Sequence, residues 1–548
     1  MTKRINCKLF SLVLIIALFS TGCSAQSGLN TDISSFTPMK VSADNCNYGG
    51  EIKSVEALSE FSVKFTLCTP DVAFPSKIAS PIFAIQDKDY LDKYHGDLSQ
   101  SLQKVNGTGP YTLESYNPNG DLKLVTSPTY WGIPPVSQSL TFRFMSTANK
   151  TPTIQEMSGV DAVVGLNYYH SIDANLRGFG NNLAHTPLGL VYLGFNNHFK
   201  PFDNLTVRQA FAKVIDRATL AKSTLPEGTV VANQMIPLSI TPGRSATLTW
   251  YDLNQNDAIQ ALKNSGFDFN QELTLAYLDG RTEDIENSRA MAEEIQKELA
   301  AIQVKITLKP MAQPEFDKAM IDGSEMMFIN HFRVLYPDGD AFYELPFVRL
   351  SSQFGEKYPT IINYLSEAQI ETNLVARQQK FDDLNNEFKS LVPLIPIGNV
   401  PEESLFRGSV SNITVNGYFE NLGDATTASN SLIILIPDRP NSLWPIDEDD
   451  YSTFRITRLL YDTLTSYDFK STGLQSNLAD SWTTNTNASE WTFALRYGVK
   501  FTNGATLDAN DVVASFSAIW NAADENHKGD SGKFTIFKEL FGSLLNAQ

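Results

Sequence analysis

The chain contains four cysteines, and thiol chemistry is the first chemistry that its side chains suggest. Cys7 lies in an N-terminal leader, where basic residues precede the apolar run Leu9–Ser20; a run of this length is too short to span a bilayer and is typical of a signal peptide. Cys23 ends this leader, so Cys46 and Cys68 remain as the pair that an oxidising compartment would join. A disulfide is the favoured interpretation. Metal binding by the same two thiols is the rival, but no histidine stands nearby at ligand spacing.

Cys23 is a candidate for covalent lipid attachment. The sequence STGCS (residues 20–24) looks like a bacterial lipobox, in which the cysteine after a small residue is linked to diacylglycerol and becomes the mature N-terminus. Ser20 occupies the position three residues before the cysteine, where a leucine is usual. We therefore expect residues 1–22 to be a lipoprotein signal peptide and Cys23 to be the lipid anchor. Plain secretion with a free Cys23 is the alternative.

The polar residues form no recognisable catalytic motif in the sequence. The six histidines are scattered, and none stands at metal-ligand spacing from a cysteine or a second histidine. The chain has no nucleophile elbow, no zinc-protease motif and no phosphate-binding loop. A glycosidase pair could be hidden among the 61 acidic residues, but nothing singles out two of them. We therefore predict no metal, no cofactor and no enzymatic activity.

The elements that would position these residues are of mixed type. EIKSVEAL and FSVKFTLC alternate apolar and polar residues around a short turn, which predicts a hairpin whose open end Cys46 and Cys68 would clamp. Apolar residues recur every three or four positions in 204–223, 288–302 and 375–391, which predicts helices. The pattern favours an α/β fold. The formal net charge of −18 argues against nucleic acid and anionic membrane surfaces as ligands.

A series of short motifs follows Cys46. In chain order they are GTGPY (107–111), YWG (130–132), LGFNNHFKPFDNLTVRQAFAKVIDR (193–217), AEEIQKELAAIQVKITL (292–308) and ARQQKFDDLNNEFKSLVPLIPI (376–397). Each motif is weak alone, but the ordered series resembles the family 5 extracellular solute-binding proteins. This family contains the receptors of dipeptide, oligopeptide and nickel importers.

The family's opening segment stands near the end of this chain. SLIILIPDRPNSLWPIDEDD (431–450) resembles its opening strand and turn, and residues 478–548 continue the family pattern to the point where EIKSVEAL would follow. The polar linker DATTASN (424–430) would join the family's usual end to its usual start. Such a circular permutation can preserve a fold, because the termini of a domain are often close together. A gene model from a rearranged contig and one window of a tandem array are the competing explanations.

The resemblance implies an α/β fold with two lobes of the type II periplasmic-binding-protein kind, an inserted small third domain and a circularly permuted chain. The implied organisation is a signal peptide (1–22), a tether (23–44), the second part of the small domain (45–92), the middle of lobe I (93–190), lobe II (191–405), the closing and opening strands of lobe I (406–477) and the first part of the small domain (478–548).

The segment HFRVLYPDGDAF (331–342) resembles the family motif of tryptophan, two residues, then aspartate-tyrosine-proline-aspartate, which lines the cleft between the lobes. Phe332 stands at the tryptophan position, and Tyr336 and Asp338 match. Leu335 replaces the aspartate that pairs with a peptide's α-ammonium, a charge-assisted contact that leucine cannot make. The replacement argues against recognition of a free peptide amine unless Asp338 or the nearby Asp340 takes over. A plain loop scaffold is the alternative.

Two further regions would line the cleft. Asn196 and Asn197 lie on the predicted hinge strand, where an amide can both donate to and accept from a ligand. A buried asparagine that satisfies hinge backbone is an equal alternative for Asn196. Asn441, Ser442 and Trp444 follow the opening strand, and packing of the tryptophan into the lobe core is the alternative there. The glycines of GTGPY are expected to serve the backbone turn.

The resemblance implies a substrate-binding lipoprotein of an ABC importer, held at the outer face of the bacterial cytoplasmic membrane by its lipid. It would be a monomer that captures a peptide or similar small solute between closing lobes and delivers it to permease and ATPase subunits. Receptors for a metal chelate or a sugar, and a surface lipoprotein with an adhesin or chaperone role, are the alternatives. A secreted hydrolase is less favoured.

Overall fold

The computed structural model describes residues 36–95, 104–146, 152–166, 179–282 and 284–547. The predicted leader, Cys23 and most of the predicted tether lie outside these residues. Pro38–Gln548 form one compact unit, which contains all the elements given below. Within the described ranges, no helix combines the length and the apolar character needed to cross a membrane.

The strands that the structure describes fall into three large sheets and one hairpin. In chain order they are β1 Lys40–Ser42, β2 Ile52–Ser59, β3 Ser62–Leu67, β4 Tyr111–Tyr116, β5 Leu122–Thr126, β6 Ser139–Phe144, β7 Ala162–Leu166, β8 Phe179–Ala184, β9 Gly189–Phe195, β10 Val230–Val231, β11 Glu272–Leu278, β12 Lys305–Met311, β13 Met327–Arg333, β14 Leu394–Val400, β15 Glu403–Arg407, β16 Ser431–Ile436, β17 Thr465–Tyr467, β18 Leu474–Ser476, β19 Ala479–Thr484 and β20 Glu490–Leu495.

Helices alternate with these strands through most of the described chain. They are α1 Phe74–Lys77, α2 Lys88–Tyr94, α3 Ile154–Met157, α4 Leu205–Ala212, α5 Arg217–Thr224, α6 Gln255–Asn264, α7 Ser288–Ala301, α8 Gln313–Asp322, α9 Ala341–Glu344, α10 Pro359–Ile370, α11 Leu374–Leu391, α12 Tyr451–Leu460, α13 Ala509–Trp520 and α14 Thr535–Phe541. The predicted helices at 288–302 and 375–391 are confirmed as α7 and α11.

The helix predicted over residues 204–223 is wrong in one respect, because two helices occupy this range. The first, α4, ends at Ala212, and α5 begins after Asp216. The Asp216 carboxylate accepts hydrogen bonds from the backbone N–H groups of Ala218 and Thr219 and so caps a new helix. The apolar period continues across this break, which is why periodicity alone predicted a single helix.

The five-stranded sheet has the order β1-β2-β3-β20-β19 and draws strands from widely separated parts of the chain. The predicted hairpin is confirmed as β2 and β3, which run antiparallel, and Phe65 of β3 lies opposite Trp491 of β20. The ring of Phe516 from α13 packs against Phe65 with 4.7 Å between centroids. We call the residues around this sheet the small domain.

Strand β1 corrects the predicted extent of the tether. Lys40–Ser42 pair antiparallel with β2, although residues 23–44 were predicted to lie outside the fold. The strand forms the edge of the sheet, and two of its three residues are exposed. Polar, exposed residues on an edge strand resemble linker composition, so the pairing of β1 with β2 could not be predicted from residue types.

The predicted disulfide between Cys46 and Cys68 is present and joins Cα atoms that are 5.5 Å apart. We expect the variant with Cys46→Ser and Cys68→Ser to lose about 3 kcal/mol of unfolding free energy, because a loop of this length adds chain entropy to the unfolded state when it is opened. Urea unfolding of the variant and of the oxidised parent measures the difference. A variant as stable as the oxidised parent would contradict the prediction, and the parent under reducing conditions is the matched control.

The six-stranded sheet has the order β10-β14-β9-β13-β11-β12, and we call the residues around it lobe II. Its central strands β9 and β14 are buried at every residue, as expected for strands covered on both faces. Strands β11 and β12 are parallel and are linked through α7, which gives the predicted helix-to-strand unit.

The seven-stranded sheet has the order β4-β5-β6-β16-β7-β15-β8, and we call the residues around it lobe I. Strand β16 lies in its middle, parallel to β6 on one side and to β7 on the other. Gly107 and Gly109 lie directly against the end of α12, where a Cβ atom at either position would collide with the carbonyl groups of Leu459 and Leu460. Close packing against α12 therefore requires these glycines, whereas the expected reason, a turn with unusual backbone dihedrals, does not apply, because neither glycine has a positive φ.

Candidate functional site

The predicted motif segment begins within the last residues of β13 in lobe II and continues into the loop that follows. Phe332 is only 8% exposed, and its ring packs against those of Tyr192 and Phe342 with 6.0 and 6.3 Å between centroids. Tyr336 is also buried, and its hydroxyl lies 3.2 Å from Glu344 Oε2, to which it donates. In this arrangement of the lobes, both predicted aromatic residues are enclosed by protein.

Asp338 is held by an arginine. Nη1 and Nη2 of Arg377 donate to its two carboxylate oxygens at 2.7 and 2.8 Å, a bidentate ion pair. Burial pushes the pKa of Asp338 upward, but Arg377 more than offsets this, and the pKa lies below its ordinary value. Asp338 is therefore occupied in this structure and does not replace the carboxylate that Leu335 lacks.

Asp340 is buried without such a partner. Neither of its carboxylate oxygens accepts a hydrogen bond from the described residues, and the nearest cation, Arg377 Nη2, is 3.8 Å away. Burial and the neighbouring charge of Asp338 raise the pKa of Asp340 well above its ordinary value. Of the two acids that follow Leu335 in the motif, Asp340 is thus the one whose oxygens remain uncommitted.

A buried lysine joins the motif segment to the small domain. Lys77, the last residue of α1, places Nζ 2.9 Å from Asp71 Oδ2 and 3.7 Å from Glu344 Oε2. The same ammonium lies 5.4 Å from the centroid of the Tyr336 ring and 3.8 Å from Glu51 Oε2. Burial lowers the pKa of Lys77, but Asp71, Glu344 and Glu51 outweigh it and raise the pKa well above its ordinary value. Lys77 is therefore charged inside the protein.

Arg349 of lobe II completes this group. Its Nη2 donates to Glu51 Oε1 at 2.7 Å and to Glu344 Oε1 at 2.9 Å. We call Glu51, Asp71, Lys77, Glu344 and Arg349 the lysine cluster. A cavity of about 20 Å³ remains beside it, which has room for about one water molecule. The small domain and lobe II are therefore in close contact around the lysine cluster.

Three hydrogen bonds outside the lysine cluster also reach lobe II. The backbone N–H of Val72 in the small domain donates to the carbonyl of Gln369 at 2.9 Å. The Tyr418 hydroxyl of lobe I donates to the carbonyl of Val334 at 3.1 Å, next to the motif. Thr472 of lobe I donates through Oγ1 to the carbonyl of Ser239 at 3.0 Å. Lobe I and the small domain thus both contact lobe II, as they would in the closed form of a two-lobe receptor.

Asn196 and Asn197 lie at the end of β9 and bind backbone of lobe II. Asn196 donates through Nδ2 to the carbonyl of Gly323 at 2.8 Å and accepts from the N–H of His198 at 3.0 Å. Asn197 accepts from the N–H of Glu356 at 2.6 Å. The Asn196 side chain is buried, and both its amide nitrogen and its amide oxygen are hydrogen-bonded to backbone. This arrangement is the one expected if Asn196 satisfies hinge backbone and does not bind a ligand.

The turn after β16 packs against the C-terminal part of the small domain. Trp444 is buried, and its Nε1 donates to the carbonyl of Lys528 at 2.9 Å. Ser442 is buried too, and its Oγ accepts from the N–H of Trp444 at 3.3 Å, whereas Asn441 is exposed. The structure therefore places Trp444 in an internal contact between lobe I and the small domain.

The chain crosses between the lobes after β8 and again after β14, and a second buried ionic group lies at these crossings. His185 and Glu402 are hydrogen-bonded neighbours there, N–H to carbonyl at 2.8 Å. His185 Nε2 is 2.9 Å from Ser404 Oγ and 3.4 Å from Glu420 Oε1. Arg455 of α12 pairs with Glu402 and, through Nε at 3.3 Å, with Glu420. We call these five residues the hinge cluster.

The hinge cluster has the residue types of a metal site but contains its own cation. Ligand atoms of His185, Glu402 and Glu420 lie within 4.8 Å of one another. The guanidinium of Arg455 contacts both carboxylates and occupies the position at which a metal ion would have to bind them. The cluster is therefore a structural ion network at the crossing between the lobes.

A buried glutamate at the second crossing makes the fold sensitive to pH. Burial, together with the charge of Glu227, raises the pKa of Glu403 from 4.5 to about 7. Because the native state binds this proton more tightly than the unfolded chain, the stability falls as the pH rises from about 4.5 to about 7. We expect Glu403→Gln to be more stable than the parent by up to about 3 kcal/mol at pH 8 and by less than about 1 kcal/mol at pH 5.

Urea unfolding at the two pH values measures this effect. Glu293→Gln is the matched control: Glu293 is exposed on α7 and does not contribute to the raised pKa of Glu403, so its replacement is expected to change stability by less than about 0.5 kcal/mol at either pH. An equal difference between Glu403→Gln and the parent at pH 5 and pH 8 would refute the assignment.

Sequence reasoning did not identify the lysine cluster. One sign was available, since Lys77 stands alone in the apolar run VAFPSKIASPIFAI (72–85), where a charge has to be buried and paired. Its partners Glu51 and Glu344 are remote from each other in the chain, so no spacing rule connects them. The leader cysteine Cys23, the predicted lipid anchor, lies outside the described residues.

A family model described as bacterial extracellular solute-binding proteins, family 5 middle, matches residues 25–350 and 473–537. The dipeptide-binding protein of Escherichia coli (strain K12) is 24% identical over 312 residues, which cover 56% of this chain and 58% of that protein. Di/tripeptide-binding protein 1 of Pseudomonas aeruginosa (strain UCBPP-PA14) is 27% identical over 273 residues, 49% of this chain and 50% of that protein. The chain thus spans little more than half the length of these relatives.

Solved structures show the same fold. HbpA2 from Haemophilus parasuis superposes with a TM-score of 0.61 at 21% identity, covering 69% of this chain and 76% of that one. A dipeptide binding protein from Pseudoalteromonas sp. SM9913, in complex with Met-Leu, gives a TM-score of 0.53 at 20% identity with the same coverage. These likenesses confirm the predicted two-lobe α/β architecture. Together with the family model, which matches most of the chain, they show that this protein belongs to family 5 of the bacterial extracellular solute-binding proteins.

Proposed function

We propose that this protein is the substrate-binding component of an ABC importer and captures a peptide or a similar small solute between lobe I and lobe II. The observation that carries the proposal is the contact surface around the motif segment, where Tyr336 and Glu344 of lobe II meet Lys77 of the small domain. Separation of the lobes would open this surface to a ligand, and closure would enclose the ligand and present the loaded form to permease and ATPase subunits. The protein would act as a monomer and bind without chemical conversion.

The names of the relatives support a peptide ligand. Several are described as dipeptide- or di/tripeptide-binding proteins. A ligand without a free ammonium group, such as a metal chelate or a sugar, is the second candidate. It is favoured by Leu335 at the motif position and by the engagement of Asp338 with Arg377. A peptide would bring its ammonium group close to the carboxylates around Lys77, whereas the second candidate would bring no ammonium group.

Native mass spectrometry tests both candidates. The chain without the predicted signal peptide (residues 1–22), which we call the secreted chain, would carry Cys23→Ser and be purified without denaturation. Its native mass would be compared with its denatured mass. Adducts that match short peptides would support peptide capture, and one discrete non-peptide adduct would support the second candidate. Absence of any adduct, combined with no saturable binding of a dipeptide panel or of a chelate and sugar panel in calorimetry, would refute the proposed function.

We also propose that the circular permutation is genuine. Support comes from the five-stranded sheet, in which strands 40–67 and 479–495 lie together. The N–H of Glu51 donates to the carbonyl of Phe541 at 2.8 Å, so the two segments that are consecutive in the family pattern are adjacent in space. Partial coverage of the curated relatives agrees with this proposal, because a sequential alignment follows only one part of a reordered chain.

The permutation is tested by peptide mapping of the protein from its native cells. A proteolytic peptide that runs unbroken through residues 424–431 would show that the linker is translated. Peptides that always begin or end inside this stretch would contradict the permutation.

Lipid anchoring through Cys23 at the outer face of the cytoplasmic membrane is a separate proposal, supported by the leader and lipobox. It predicts that the parent partitions into detergent in Triton X-114 extraction and that Cys23→Ser stays in the aqueous phase.

A further inference from the structure

A second cavity lies within lobe I, apart from the lysine cluster. It encloses about 270 Å³, the liquid volume of about nine water molecules. Its walls are formed by α12, the loop 416–424, the turn around Tyr130, the hairpin β17–β18 and the adjoining small-domain segment 79–84. The described lining residues belong to lobe I and the small domain, and none of them belongs to lobe II or to the lysine cluster.

Arg458 of α12 lines this cavity and has donors to spare. Its Nη1 donates to the carbonyl of Glu420 at 3.2 Å, and its guanidinium lies 5.2 Å from the ring centroids of both Phe419 and Phe469. No ion pair within 4.0 Å joins Arg458 to a carboxylate in the described part of the chain. The two aromatic rings thus contact the guanidinium by cation–π interactions. Its other N–H groups have no carboxylate partner among the described residues.

The acid just beyond the end of α12 does not fill that role. Asp462 accepts hydrogen bonds from Thr108 Oγ1 and Trp131 Nε1, each at 3.0 Å, and from Asn477 Nδ2 at 3.3 Å. These three donors hold its carboxylate away from Arg458. Asp424 lines the exposed rim of the cavity and accepts from Asn421 at 2.8 Å. These two acids make the cavity unfavourable for a ligand with two negative charges.

Thr457 provides an independent sign of a ligand. Its side chain is only 1% exposed and lines the same cavity next to Arg458. The hydroxyl Oγ1 is buried and has no hydrogen-bond partner among the residues that the structure describes. Buried hydroxyls nearly always find a partner, because an unpaired one loses its hydrogen bonds to water without replacement. Rotation of the Thr457 side chain about χ1 would turn this hydroxyl toward the cavity, where a ligand oxygen would satisfy it.

We propose that this cavity is a binding site for a small organic monocarboxylate. The carboxylate would accept hydrogen bonds from the free edge of the Arg458 guanidinium and from the Thr457 hydroxyl, and its carbon skeleton would pack on Phe419 and Phe469. The aromatic walls and the volume suit a ligand of the size of benzoate or an acylated amino acid. This site is separate from the proposed solute cleft and does not depend on it.

Titration calorimetry of the secreted chain with benzoate and with N-acetylglycine tests the proposal, with benzamide and inorganic phosphate as matched probes. At least one of the two monocarboxylates is expected to bind saturably. Benzamide, which keeps the ring of benzoate but has no charge, and phosphate, which carries more than one charge, are expected to bind at least about tenfold more weakly than that monocarboxylate.

Three variants locate the binding. Arg458→Gln is expected to weaken monocarboxylate binding by about 10- to 100-fold, and Thr457→Val by about 3- to 10-fold. Thr457→Val should be as stable as the parent or more stable, since it removes an unpaired buried hydroxyl. Ile133 is 91% exposed at the mouth, so Ile133→Trp should hinder entry without disturbing the fold.

Some outcomes would overturn the site. They are no saturable binding of either monocarboxylate to the parent, equal binding of benzamide and benzoate, or parent-like affinity in both Thr457→Val and Ile133→Trp. Because these two variants change an unpaired hydroxyl and an exposed side chain, they remain informative if Arg458→Gln fails to fold.

Discussion

Replacement of Lys77 by methionine is expected to lower the free energy of unfolding by about 3–5 kcal/mol. The methionine fills most of the volume of the lysine stem but leaves Asp71 without a cation and leaves Glu51 and Glu344 with Arg349 alone. A buried carboxylate that loses its partner retains its desolvation penalty, so the loss far exceeds that of a surface pair. Urea unfolding of parent and variant measures it.

Lys297→Met is the matched control for this experiment. The Lys297 side chain is 75% exposed and pairs with Glu294 on the same helix. Its replacement should leave the stability almost unchanged, because exposed ion pairs contribute little. In the double variant with Lys77→Met and Asp71→Asn, the second change should recover part of the loss, because the two residues are in direct contact. A Lys77→Met protein as stable as the parent would show that the lysine cluster does not hold the small domain to lobe II.

Replacement of Arg455 by methionine is the second change expected to have a large effect, about 3–5 kcal/mol of unfolding free energy. Arg455 is the cation of the hinge cluster, and its removal would leave Glu402 and Glu420 buried beside His185. The unpaired carboxylates would then bind protons more readily in the native state than in the unfolded chain. The loss should therefore be larger at pH 8 than at pH 5.

Arg289→Met is the control for Arg455→Met. The Arg289 side chain is 57% exposed and lies 3.4 Å from Asp279, so its loss should cost less than about 1 kcal/mol at both pH values. Unfolding of the three proteins at pH 5 and pH 8 separates the effects. A loss in Arg455→Met that is the same at both pH values would argue against unpaired carboxylates as its cause. A loss below about 1 kcal/mol at pH 8 would remove the hinge cluster as a stabilising network.

Local patterns predicted the elements that depend on neighbours in the chain. The alternation of residues 51–68 predicted β2 and β3, and the helical period of residues 375–391 predicted α11. The Cys46–Cys68 disulfide followed from the leader and from the count of remaining cysteines. Each of these features needs only the identities of residues that are close in sequence or few in number.

The surroundings of the motif segment could not be predicted from local patterns. Its residues Phe332, Tyr336 and Asp338 were identified by type and order, but their surroundings were not. The structure places Phe332 among aromatic rings and commits Asp338 to Arg377. Whether a carboxylate is free to meet a ligand depends on which side chains reach it in space, and the sequence does not contain that distance.

The amino-acid sequence was sufficient to predict the family of this protein, its α/β class and the motif segment that we propose for its cleft. Which charges meet became known from the packed chain: Lys77 meets Glu344, Arg455 meets Glu402, and Arg458 meets no anion among the described residues. The physical reason is that periodicity and residue type report local conformation and average burial. The energy of a charge depends instead on its burial and on the few ångströms to its partner, and both are fixed only when remote segments pack together.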